Sequence, residues 1–266
     1  MCEENDNRVD EISEYYKPVG RLNFFIMILF WSLIFLSLGL LFSQNITENA
    51  KNKLQYFFVV LFIVHFILLQ VSKHFLSKAE EERRKQLLSD AFNVPLSNEK
   101  TTLYYNNKYP PSFLRLGAII LENTYFGKRI TNEMLKSKRL FTCLYVLIWL
   151  LIIIGRENNL TFVTWVTQFV FSGEIVMQWV FLERLHYKYN HIYNELHNNY
   201  LNKIDGNTIE GKVTIINALV NYESAKASYG IKTSTKIFNE INPKLTHEWE
   251  KIRTLLRMDV FEDTKQ

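Results

Sequence analysis

The chain has 266 residues, a formal net charge of +4 and two cysteines. Cys2 and Cys143 lie far apart in sequence, which excludes a disulfide framework and a CxxC metal or redox site. Mean hydropathy is −0.07, a soluble-looking average, but the charges are segregated and leave four long apolar runs: Leu22–Phe42, Tyr56–Ser72, Leu140–Gly155 and Leu160–Leu182.

The first 21 residues carry acids and tyrosines beside Arg8, Lys17 and Arg21, and no small-x-small cleavage pattern follows the first apolar run. They read as a cytosolic segment (1–21) ahead of a retained anchor. A hydrocarbon core of about 30 Å takes roughly 20 apolar residues as a helix. The first and fourth runs reach that length, and the other two reach it with a little flanking sequence. The expected class is all-α: an integral membrane protein with four transmembrane helices in two hairpins plus a helical cytosolic domain. The boundaries are hairpin 1 over 22–72, a cytosolic insert over 73–139, hairpin 2 over 140–182 and a cytosolic C-terminal region over 183–266.

Basic residues set the orientation. Loop Ser43–Gln55 holds only Lys51 and Lys53, and turn Arg156–Asn159 only Arg156, whereas 73–139 holds Lys73, Lys78, Arg83, Arg84, Lys85, Lys128, Arg129, Lys136, Lys138 and Arg139. Basic flanks stay cytoplasmic, so both termini are expected there and both turns outside. The sequon Asn45-Ile46-Thr47 then faces out and is inert in a bacterial chain.

Beyond the second run, Lys78-Ala-Glu-Glu-Glu-Arg-Arg-Lys-Gln-Leu-Leu is a strong helix former that prolongs that span. Asn93-Val-Pro95 ends it, and Ser97–Pro111 reads as an irregular loop. Ser112 caps a helix running through Leu116, Ile119, Ile120 and Tyr125 toward the third span. After the fourth span, Leu182, Leu185, Tyr189, Ile192, Leu196 and Tyr200 recur at three- and four-residue spacing as a coiled-coil-like seam. Three further helices fit the tail: Thr208–Tyr229, Thr233–Ile241 and Pro243–Met258, the last with Asn242 as N-cap and Pro243 at N1.

In the fourth span Thr164, Gln168, Phe171, Glu174 and Gln178 follow one helical face, with Thr167 beside it. An acid at mid-membrane costs about 2.5–3.5 kcal/mol, and about a dozen apolar residues return about 4–7 kcal/mol, so this helix needs a partner or an aqueous face. Two readings stay open. The stripe lines a pore with Glu174 at its constriction, or Glu174 packs against another helix with His65 as partner. One four-helix bundle leaves no room for hydrated ions, so a pore requires a homo-oligomer, with a tetramer favoured. The 182–200 seam is either where subunits meet or an intrachain contact with the tail.

In the cytosolic insert, Tyr104, Tyr105 and Lys108, with Lys128 and Arg129 after Tyr125-Phe-Gly, set aromatic faces beside cations, as single strands and nucleotides require. The competing reading is lipid headgroups for the cations and packing for the tyrosines. Catalysis finds no home. His186, His191 and His197 diverge around a helix, and Glu183 with His186 lacks the second such pair of a di-iron bundle. No metal or organic cofactor is expected.

Two stretches carry a resemblance. One is Tyr222-Glu-Ser-Ala-Lys-Ala-Ser-Tyr-Gly-Ile-Lys-Thr-Ser-Thr-Lys-Ile-Phe-Asn-Glu-Ile-Asn-Pro-Lys-Leu-Thr-His-Glu-Trp-Glu250; the other is Asp90-Ala-Phe-Asn-Val-Pro-Leu with Glu122-Asn-Thr-Tyr-Phe126. With the two-hairpin layout, they resemble the bacterial SMODS-associating four-transmembrane effector family, though Lys232-Thr-Ser-Thr stands where that family is more aliphatic. The resemblance implies a pore-forming effector of anti-phage defence in the bacterial inner membrane. It also implies a nucleotidyltransferase partner whose nucleotide or oligonucleotide product controls it. Asn242, Trp249 and Ile237-Phe238 match as structural positions. A non-conducting membrane scaffold recruiting a soluble partner through its tail is the alternative.

Overall fold

A computed structural model describes residues 9–41, 47–99, 101–102, 105, 109–154 and 162–258; the side chains at 9, 38, 41, 102, 149, 152–154 and 162–173 fall outside that description. The described chain is helical. A 3-10 helix (Glu11–Tyr15) leads into α1 (Tyr16–Leu41), followed by α2 (Glu48–Phe92), α3 (Phe113–Ile154), α4 (Phe162–Leu201), α5 (Ile209–Tyr229) and α6 (Thr235–Leu255). Two two-residue strands, β1 (Val9–Asp10) and β2 (Thr101–Thr102), pair antiparallel.

The chain divides into two compact units. One gathers 1–13, 79–138 and 181–266; the other gathers 14–78 and 139–180. Helices α2, α3 and α4 each contribute residues to both.

In the 14–78/139–180 unit many of the described large apolar side chains lie outside. Phe24, Phe25, Phe35, Tyr56, Phe57, Val60, Ile63, Phe66, Leu140, Leu147 and Leu151 are all exposed. Two helices, Glu11–Ser37 and Glu48–Phe92, are long and apolar enough to cross a membrane, and only 17% and 11% of their most apolar windows are buried. A core helix of a soluble protein would be mostly buried, so this pattern is one a water-soluble fold avoids. The inward positions repeat every seven residues: Val19, Ile26 and Leu33 on α1, and Phe58, His65 and Ser72 on α2. Contacts between these helices run in opposite senses along the chain. Ser72 donates to Asn23 Oδ1 at 2.7 Å, the Phe30 and His65 rings lie 6.2 Å apart, and Leu33 packs with Phe58.

The other unit is built around a conventional core. The seam Leu182, Leu185, Tyr189, Ile192, Leu196 and Tyr200 is buried throughout, and from Leu185 onward it packs with Leu116, Ile119, Ile120 and Tyr125 of α3, Ile215, Ala218 and Tyr222 of α5, and Leu245 and Trp249 of α6. The seam is therefore an intrachain contact, and the reading of it as a subunit interface is set aside: its apolar side chains are already covered. Two α3 glycines admit α4 side chains. A Cβ at Gly127 would stand 2.7 Å from the Tyr189 ring, and one at Gly117 would stand 2.6 Å from the Tyr200 hydroxyl, which donates to Leu114 O at 2.6 Å.

Local signals explain the helix ends. Ser112 Oγ accepts from Arg115 N at 3.2 Å ahead of α3, and Thr208 Oγ1 accepts from Gly211 N ahead of α5. Gly230 closes α5 at φ 56°, with its N–H bonded to Lys226 O, a conformation that favours glycine. Asn93 ends α2 at φ 53°. The tail departs from expectation at Pro243. The expected pair of helices, 233–241 and 243–258, is one helix capped by Ser234, with Pro243 inside it. Ile241, Leu245, Trp249 and Ile252 form one stripe against the core on both sides of the proline, and their continuous burial outweighs the roughly 3 kcal/mol penalty of an interior proline.

The start of the described chain is tied into this same unit. Residues 9–13 belong with 79–138 and 181–266. Arg83 donates bidentately to Asp10 at 3.0 and 2.9 Å, and β1 pairs with β2 in the 97–111 loop.

Candidate functional site

Two constellations carry the polar chemistry, one in each unit. In the apolar unit, α2 places His65 and α4 places Glu174 so that His65 Nε2 lies 3.3 Å from Glu174 Oε2. Gln178, one turn further along α4, donates its Nε2 to Glu174 Oε1 at 3.2 Å. Both carboxylate oxygens are thus engaged. The His65 side chain is 2% exposed and that of Glu174 23%. A charged group in apolar surroundings is tolerated when a partner compensates it, and a histidine two turns from any other polar group on its helix face supplies that here. Of the residues expected along the stripe, Thr164, Thr167, Gln168 and Phe171 lie on the α4 backbone, but their side chains fall outside the described residues; Glu174 and Gln178 bond to each other.

In the helical unit, Tyr125, Lys128 and Arg129 of α3 meet Tyr193 and His197 of α4 and Glu248 of α6. Tyr125 Oη donates to Glu248 Oε2 at 2.6 Å and Arg129 Nη2 to the same oxygen at 3.0 Å, with Lys244 Nζ 3.9 Å from the other oxygen. Lys128 Nζ sits 3.2 Å from the Tyr193 ring centroid and 5.7 Å from that of Tyr125, a cation–π arrangement. His197 stacks on the far partner, its ring centroid 5.4 Å from that of Tyr193. Burial, and then the neighbouring Arg129, lowers the Lys128 ammonium to about 8. Burial and the Glu248 hydrogen bond push the Tyr125 hydroxyl up to about 12. The Tyr125 hydrogen bond, followed by its cationic neighbours, holds the Glu248 carboxyl below its usual range.

A phosphate reaching Arg129 would compete with Glu248 for Nη2, the guanidinium nitrogen that donates to it. Of the expected ligand residues, Lys128 and Arg129 are brought together with Tyr125. Tyr105 packs half-buried against the hydrophobic core. Tyr104 and Lys108 lie outside the described residues.

Sequence reasoning passed over Tyr193 and Glu248, which come from helices more than 60 residues away. It also passed over Lys226, which lies 2.6 Å from Glu80 Oε2 and 3.2 Å from Glu223 Oε1, beneath the Tyr189–Tyr222 stack. His186 bonds Thr131 at 3.0 Å, and His191 stacks on Tyr187. Among the described residues no three His, Cys, Asp or Glu side chains could hold a metal. No family model, no curated protein and no solved structure matches the chain.

Proposed function

We propose that this chain is a multi-pass protein of the bacterial inner membrane that assembles into a homo-oligomeric ion-conducting pore, an effector of anti-phage defence gated by a nucleotide or short oligonucleotide on its cytosolic side. The observation that carries the membrane part is the polarity of this unit: many large apolar side chains are exposed on it while His65 and Ser72 are buried and Glu174 is partly buried. Lipid reverses the polarity preference of a fold in this way, since buried polar groups must find partners inside.

Register supports four spans in two hairpins. The α1–α2 contacts Asn23 with Ser72 and Phe30 with His65 pair numbers that add to 95, the mark of antiparallel neighbours reversing near 47–48. The α3–α4 contacts Gly117 with Tyr200, Gly127 with Tyr189, Thr131 with His186 and Tyr125 with Tyr193 add to between 316 and 318. A positive-inside reading then leaves both termini cytoplasmic.

Assembly draws on α5, where Ile209, Val213, Ile216 and Val220 are exposed at the four- and three-residue spacing of an interhelical seam. Gating by an anionic ligand draws on the Tyr125–Lys128–Arg129–Tyr193 cluster, where a phosphate competes with Glu248. The defence role and the nucleotidyltransferase partner rest on the resemblance carried by 90–96, 122–126 and 222–250. A non-conducting scaffold fits the same α5 stripe, with a soluble protein in place of a second copy.

Flux from proteoliposomes separates them. Purified full-length protein releases trapped ions when short oligonucleotides are added, and the response falls with rising salt because phosphate recognition is electrostatic. A scaffold leaves the vesicles tight at every protein density.

A further inference from the structure

We propose that His65 and Glu174 form a clasp between α2 and α4 that holds the conduction path shut, so that opening requires the two side chains to part; this rests on the pore reading above. Four observations lead to it. Among the described residues of the apolar unit His65 is a deeply buried ionisable side chain, at 2% exposure. Its Nε2 faces Glu174 Oε2 at 3.3 Å across the gap between two different helices. The second carboxylate oxygen accepts from Gln178 on the same helix, so both oxygens of Glu174 are engaged while only His65 reaches it from α2. His65 also meets the Phe30 ring of α1, centroid to centroid at 6.2 Å.

A carboxylate that lines a water column needs its oxygens for water and passing cations. With each oxygen already accepting from a protein donor, Glu174 has fewer sites left for water or a passing cation in this arrangement than it has when released. The two readings of Glu174 that the sequence left open are therefore two states of one residue: clasped to His65 when shut, turned to water when open. The physical logic is a matched exchange. Separating the pair in apolar surroundings leaves an uncompensated charge, which is strongly unfavourable. Separating it while water enters the same space replaces each lost hydrogen bond by hydration. The clasp therefore couples opening to wetting and disfavours a dry, half-open intermediate. Contacts at 65 and 174 are far apart in sequence, on α2 and α4, so any movement of α4 relative to α2 is felt at this point.

The test uses full-length protein in vesicles of bacterial polar lipid, without nucleotide, reading basal potassium efflux. His65→Ala and Glu174→Ala each raise basal efflux at least tenfold, and the double variant raises it no further, because both substitutions remove one interaction. The exchanged pair, His65→Glu with Glu174→His, restores the contact and returns efflux toward the wild-type level. Melting of the same preparations in detergent keeps the result interpretable: each single variant melts below wild type and the double variant falls no lower than the worse single. Wild-type vesicles that conduct under an imposed membrane potential, with single variants leaking no more than wild type at rest, refute the clasp and leave the pore standing. Vesicles silent for every variant at every potential refute the pore reading and the clasp with it.

Discussion

Lys226 offers the sharpest test of the helical unit. Its side chain is 10% exposed, and its ammonium lies 2.6 Å from Glu80 Oε2 and 3.2 Å from Glu223 Oε1, with Arg84 3.8 Å from the other Glu223 oxygen. At an effective dielectric of about 20 each contact is worth about 5–6 kcal/mol of attraction before desolvation. Burial works against the ammonium, but Glu80 and then Glu223 outweigh it and raise its pKa above 10.5. A base with a raised folded pKa contributes stability that is complete below its unfolded value and lost only as pH climbs through the folded one. This contribution is therefore whole at neutral pH and fades above about 10.5. Lys226→Met leaves two partly buried carboxylates facing each other, a loss of about 3–5 kcal/mol. For a unit of this size that is a fall in Tm of about 6–20 °C at about 2–4 °C per kcal/mol. Adding Glu80→Gln and Glu223→Gln removes the orphaned charges and recovers most of the loss. The assay is thermal melting of the full chain in detergent at pH 7. A Lys226→Met protein melting within about 2 °C of wild type, under 1 kcal/mol on that scale, refutes the account of the network.

Gly127→Ala sets a Cβ 2.7 Å from the Tyr189 ring, a strain of about 1–3 kcal/mol that exceeds the gain of about 1 kcal/mol in helix propensity. It lowers Tm, and becomes stabilising once Tyr189→Leu clears the space. The folded state holds the Lys128 proton less tightly than the unfolded chain, with a pKa near 8 against 10.5, so stability rises between those pH values; melts of Lys128→Met across the same range lack that rise. Asp10→Ala removes the two bonds from Arg83 at a cost of about 1–3 kcal/mol, and limited proteolysis then cuts faster near 9–15 while the core survives.

The long helices were readable because hydrophobic period and caps act locally. Ser112, Thr208 and Asn93 mark ends where their side chains or backbone angles require them, and the 182–200 seam showed its period before its partners were known. Spacing alone left open whether that seam meets another subunit or the tail, and the cover that α3 adds to that of α5 and α6 depends on long-range packing that spacing does not encode. Pro243 misled because its local preference to start a helix was overridden by one stripe burying on both sides of it. Lys128 and Arg129 were visible as cations, but their engagement by Tyr193 and Glu248 depends on helices brought together only by folding. Asn23 was overlooked inside a run judged by average hydropathy, and its bond to Ser72 needs a partner 49 residues away. His65 was named as a partner for Glu174 because few polar groups lay in the other apolar runs.

The claim beneath the rest is that the unit formed by 14–78 and 139–180 sits in lipid. Alkaline carbonate extraction of membranes from cells expressing the full chain tests it directly. The protein stays in the membrane pellet and enters solution only with detergent. Its release into the supernatant as a monodisperse, detergent-free particle contradicts the account.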